Sequence, residues 1–143
     1  MKNILVTIDF NENDHLLIEQ AYQLAQAFQS KVWLIHIAAP EPDFAGYAGP
    51  PSVRTMRAEE LREEHRDIQA LADRLIAKNI TAEGLLVQGA TIETILEEAK
   101  KLQIDLIIAG HEEHNLFYKA FRGSVSVGLI NQSKIPVLIV PID

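Results

Sequence analysis

The chain has no cysteine in its 143 residues, which removes disulfides, thiolate catalysis and thiolate metal sites together. That absence fits a reducing cytoplasm, the expected location. No apolar run reaches the length needed to cross a bilayer. Met1-Lys2-Asn3 leads directly into the apolar run Ile4–Ile8, with no signal-peptide core or cleavage pattern. Positive charge is in deficit: 13 lysines and arginines face 20 acidic side chains, a net charge of -7. A chain so acidic is not expected to bind nucleic acid or anionic membrane through its general surface.

Catalytic signatures are missing too. Asp9-Phe-Asn-Glu-Asn follows the first apolar run, where a Rossmann dehydrogenase would carry Gly-x-Gly-x-x-Gly. There is no Gly-Lys-Ser or Gly-Lys-Thr of a Walker loop, and no Gly-x-Ser-x-Gly nucleophile elbow. The His-x-Gly-His and Ser-Gly-Gly-x-Asp patterns of α/β folds that adenylate substrates are also absent. Nothing assembles a nucleophile, a base and an oxyanion hole. The chain is not expected to be an enzyme.

What is present is a regular alternation. A 48% hydrophobic content in 143 residues suits one domain, residues 1–143, around a single core. Ile4–Ile8 and Val32–Ile37 read as strands, and Leu17, Ala21, Leu24 and Phe28 mark a helix over Asn13–Gln29. Ala39–Pro51 holds four of the six prolines and reads as a long surface loop, the kind that often binds ligands. Residues Val53–Asn79 form a long helix with a stripe of Leu61, Ile68, Leu71, Leu75 and Ile76; the charged run Arg57–Arg66 is its exposed face. Glu83–Val87 is a third strand, turned by Gln88-Gly89 into a helix bearing Ile92, Ile95, Leu96 and Ala99, with Lys100 and Lys101 near its end. Leu106–Ala109, Gly123–Gln132 and the segment from Pro136 to Pro141 complete the series as strand, helix and strand. Five strands alternating with four helices imply an α/β fold: a parallel sheet, right-handed crossovers and helices on both faces.

The stretch Ile104–Ser126 carries the chemistry. An apolar strand stops at Gly110, a polar loop follows, and Gly123-Ser124 opens a helix. Free N–H groups and the helix dipole make such a terminus suited to anions. His111-Glu112-Glu113-His114 invites a metal reading, but the histidines are three apart in a loop, not four apart on a helix, so no metal is expected. Asp9 has two readings, a ligand contact or a carboxylate bonding N–H groups of the following turn. Gly110 serves a ligand's approach or a tight turn. His36 reads as a hydrogen-bonded core histidine.

Gly110, two residues, Glu113, nine residues and Gly123-Ser124 resemble the nucleotide loop of the universal stress protein family, Gly-x2-Gly-x9-Gly-Ser/Thr. Glu113 replaces the middle glycine, and a histidine such as His114 is frequent just after it. The resemblance spans the chain and implies an open five-stranded sheet of order 3-2-1-4-5. A crevice then falls at the switch point beyond strands one and four. The resemblance implies that the crevice holds ATP, ADP or AMP, with or without magnesium. Thr7, Asp9 and the backbone of Ile37 would line the adenosine end. Gly110, His111, Glu113 and His114 belong to the loop, and Gly123, Ser124, Val125 and Ser126 would close on ribose and phosphate. Glu113 keeps a second reading open, that of the family's nucleotide-free interaction branch. The resemblance also implies a homodimer through the terminal strand, Val137–Val140.

Overall fold

The computed structural model describes residues 1–39, 51–111 and 123–142; of residues 51–54, 123 and 124 it describes the backbone alone. Nine elements alternate: β1 (Asn3–Thr7), α1 (Asp14–Phe28), β2 (Lys31–Ala38), α2 (Pro51–Ile76), β3 (Ala82–Gln88), α3 (Thr91–Lys101), β4 (Leu106–His111), α4 (Gly123–Gln132) and β5 (Val137–Pro141). All four strand pairings are parallel, in the order β3-β2-β1-β4-β5. This is the architecture expected from the sequence. Among the described residues, no helix is long and apolar enough to cross a membrane.

The central strands are buried on both faces, so successive side chains enter two separate cores. Ile4 and Val6 of β1, and Ile8 just beyond it, pack with Leu17 and Ala21 of α1 and with Ile68, Ala72 and Leu75 of α2. Leu5 points the other way, with Ile107 and Ala109 of β4, toward Ile95 and Ala99 of α3 and Leu129 of α4. Gly84 lets α2 lie against β3. A Cβ there would stand 2.9 Å from the Ile68 carbonyl oxygen, a backbone atom that cannot swing aside.

Several expected boundaries move. β1 ends at Thr7 and not at Ile8, although Ile8 still donates its N–H to the Ile35 carbonyl at 2.8 Å. β2, β3 and β4 run longer than their apolar runs, because ladder bonds extend through polar ends such as Lys31, Gln88 and His111. α2 begins at Pro51, inside the segment read as loop, and ends at Ile76. Two residues assigned to buried stripes are exposed, Phe28 and Ile76. Each is the last residue of its helix, beyond the sheet's cover, and Ala25 and Ala72 take the buried positions one turn earlier.

Candidate functional site

The strand order reverses between β1 and β4, and a cavity of about 240 Å³ opens beyond their carboxyl ends. Its apolar wall includes Ile35, Ile37, Ile95 and Ile142, and its polar lining includes Thr7, Asp9, Asn11, Asp14 and Thr91. Gly110 and Val125 border it from β4 and α4. Five residues singled out in the sequence therefore meet at one cavity: Thr7, Asp9, Ile37, Gly110 and Val125. Thr7 is fixed by its hydroxyl, which donates to the Ile108 carbonyl at 3.3 Å across the β1–β4 pair.

Two assignments change. Gly110 does not turn the chain; it lies within β4, and Gly89 is the one described glycine with positive φ. A Cβ at Gly110 would sit 3.2 Å from Ile142 and 3.3 Å from Leu17, two side chains that line the cavity with it, so any larger residue would crowd them. Ser126 is buried at 1% exposure and does not line the cavity. Its hydroxyl lies 3.1 Å from Nδ1 of His111, which ties the end of β4 to the first turn of α4. Glu113 and His114, with Glu112, lie outside the described residues. The backbone of Gly123 and Ser124 begins α4, while the Ser124 side chain is not described.

Sequence reasoning missed Asp14. It is 7% exposed and lines the cavity. Its Oδ1 accepts the Asp9 N–H at 3.3 Å and its Oδ2 accepts the Asn11 N–H at 3.1 Å. The turn-bonding role considered for Asp9 thus belongs to Asp14. Burial raises the Asp14 pKa above its ordinary 3.8, and the nearby Asp9 carboxylate adds to the rise; the donated N–H bonds act against both. Between them Phe10 adopts φ 59°, a left-handed conformation costly for an aromatic residue. The signal available was an aspartate at the first position of an amphipathic helix, where anions are favoured. Thr91, at the start of α3, and Ile142, after β5, are also cavity residues that local patterns did not mark.

Chemically, the cavity offers an apolar slot with hydroxyl and carboxylate groups at its rim. The first turn of α4 adds outward backbone N–H groups beside it. This geometry defines an open α/β domain with a crevice at its switch point. The universal stress protein family model matches residues 1–141, and the chain belongs to that family. It is 29% identical to universal stress protein A of Escherichia coli over 99% of this chain and 94% of that one. Universal stress protein C of Salmonella typhimurium is 27% identical over 98% and 95% of the two chains.

Solved structures agree on the fold. The universal stress protein UspA of Lactobacillus plantarum superposes with a TM-score of 0.77 at 19% identity, covering 97% of each chain. A universal stress protein in complex with cAMP gives 0.68 at 22% identity, over 99% of this chain and 98% of the other. An Arabidopsis thaliana family member with AMP bound gives 0.64 at 15% identity, over 100% and 93%.

Proposed function

We propose that this chain is an adenine-nucleotide-binding module of the stress response, acting by binding and not by catalysis. The observation that carries this reading is the cavity at the β1–β4 switch point, where Thr7, Asp9, Ile37, Gly110 and Val125 meet. Its apolar walls suit a base, and its rim offers partners to ribose hydroxyls. The phosphates extend toward Gly123–Ser124–Val125, where α4 begins and its dipole favours an anion. His111, held by Ser126 at the end of β4, is assigned to the phosphate side, and the family loop pattern assigns Glu113 and His114 the same role. Two structural neighbours hold cAMP and AMP, which makes adenine the base to test first. The working form is a cytoplasmic homodimer paired through β5.

Titration calorimetry with ATP, ADP and AMP, with and without magnesium, tests the reading. Saturable binding at millimolar ligand or below is the expected result. Absence of both heat and thermal shift for all three removes it. Mass spectrometry of ligand released from the denatured protein would identify the phosphate count.

A second reading follows from one residue. Glu113 stands where the family's loop carries its middle glycine, and a carboxylate near a triphosphate repels it by about 1 kcal/mol at contact distance in water. Under that reading the chain is a nucleotide-free interaction module, and the calorimetric result separates the two.

A further inference from the structure

We propose that Asp14 is a positioning residue for the cavity's ligand: its buried carboxylate holds the Asp9–Asn11 turn and so sets where Asp9 meets the ligand. The inference rests on the nucleotide reading above.

Three observations converge on it. The carboxylate is 7% exposed, and its two oxygens each accept a different N–H of the turn, from Asp9 and from Asn11. The turn it holds contains Phe10 at φ 59°, a conformation that persists only where the surroundings over-determine it. Asp9 itself is exposed at the cavity rim, on a chain end that leaves β1 two residues earlier. With nothing to anchor it, that exposed rim residue would sample many positions.

The turn is braced from its other side as well. The Ile8 carbonyl accepts from His36, and the Phe10 ring lies 4.4 Å from the His36 ring, centroid to centroid. The Asn11 side chain accepts the Asn13 N–H at 2.8 Å, and the Asn11 carbonyl accepts the Asp14 N–H at 3.2 Å. These contacts fix both ends of the turn, Ile8 and Asn11. Among the described residues, the N–H of Asp9 is reached by Asp14. A helix-start aspartate serving only to cap its helix would bond the N–H groups that follow it; Asp14 bonds two that precede it.

The chemistry of the position excludes a neutral substitute of equal reach. Asparagine retains one acceptor oxygen and turns an NH2 toward the second N–H. Alanine leaves both N–H groups without an acceptor. Losing one such bond corresponds to roughly a threefold to tenfold weakening when the geometry it holds is needed for binding.

The test is calorimetry of adenosine and of ATP on the wild type, Asp14→Ala, Asp14→Asn, Asp9→Ala and the double variant Asp9→Ala with Asp14→Ala. Ala72→Gly, in α2 away from the cavity lining, serves as a destabilised control. Asp14→Ala should weaken both ligands by the same factor of about ten, and Asp14→Asn by about three. Ala72→Gly should bind as the wild type does despite a lower Tm. Because Asp14 acts through Asp9, the double variant should bind no worse than Asp9→Ala.

Wild-type affinity in folded Asp14→Ala, or losses that multiply in the double variant, would overturn the proposal while leaving nucleotide binding intact. A wild type that takes neither adenosine nor ATP overturns the nucleotide reading and this inference together. Amide exchange needs no ligand: Asp14→Ala should speed exchange at Asp9 and Asn11, and unchanged rates there remove the brace itself. If Asp14→Ala does not fold, Asp14→Asn carries the same comparisons.

Discussion

His36 donates its Nδ1 proton to the Ile8 carbonyl at 2.6 Å, tying β2 to the last residue before the rim of the cavity. The carbonyl can only accept, so the neutral ring has its proton on Nδ1 and a lone pair on Nε2. That lone pair faces a second acceptor, Oε2 of Glu64 in α2, at 4.0 Å. The Glu64 oxygen is buried and has no hydrogen-bond partner among the described residues.

The pairing of two acceptors gives the first prediction a definite sign. Glu64→Gln supplies an amide donor to Nε2 and removes a charge, so it should stabilise the fold by about 0.5–1.5 kcal/mol. His36→Leu leaves the Ile8 carbonyl without its donor and should destabilise by about 1–3 kcal/mol. Urea unfolding at about pH 8.5, above the ordinary imidazole range, measures both. A Glu64→Gln protein less stable than wild type there would contradict this account of the contact.

Asp105 predicts an acid-sensitive anchor. Its Oδ2 accepts the N–H of Lys2 at 2.7 Å and of Asn3 at 3.0 Å, stapling the start of β1 to the chain entering β4. The bond from Asn3, then that from Lys2, lowers its pKa below the ordinary 3.8. A depressed carboxylate stabilises the fold above its unfolded value, and that contribution is lost as pH falls through its folded value. Asp105→Asn should therefore lower the urea midpoint at neutral pH, with the difference shrinking to nothing in strong acid. A difference independent of pH between neutrality and strong acid would show that charge plays no part.

The fold was readable where one residue type dictates one conformation. α4 begins and ends where its sequence signs place it, at Gly123 and Gln132, and the alternation of strand and helix follows from hydrophobic period alone. Helical period is blind to where the sheet ends, which is why Phe28 and Ile76 were misplaced. The cavity's position was readable through backbone landmarks, because Asp9 follows β1 and Gly110 lies near the end of β4, two strands that pair side by side. Asp14 was not, since its partners precede it across a turn whose left-handed Phe10 no local rule foretells. The close neighbours of Gly110 were equally hidden: Leu17 and Ile142 come from distant parts of the chain.

Glu113 offers a direct test of how the loop departs from the family pattern. If its charge and backbone preference weaken phosphate binding, Glu113→Gly should tighten ATP more than AMP, by about fivefold to tenfold for ATP. Glu113→Gln keeps the shape and removes the charge, so an intermediate affinity would divide the effect between the two causes. Equal affinities for all three proteins, measured by calorimetry, would show that the side chain has no influence on the ligand.

The last prediction concerns β5, which forms one edge of the sheet. Val137, Leu138 and Ile139 are only half-buried there, and an apolar edge templates pairing with another chain. The register says which backbone groups are available. Ile107 donates to the Pro136 carbonyl and Ile142 donates to the His111 carbonyl, with Ile107 opposite Val137 and His111 opposite Pro141. In a parallel ladder of that register Leu138 and Val140 turn their N–H and C=O groups toward β4, whereas Val137 and Ile139 turn theirs outward. Proline at 141 has no N–H to offer, so the outward donors of the strand are those two. Ile139→Pro removes an outward donor and leaves the inner ladder whole, so it should break the dimer while circular dichroism stays native. Light scattering at micromolar concentration should then give half the wild-type mass. Val140→Pro is the contrasting control: it removes a donor facing β4 and should destabilise the fold itself by about 3 kcal/mol or more. A wild type that is already monomeric, or an Ile139→Pro protein that remains dimeric, would refute pairing through this edge.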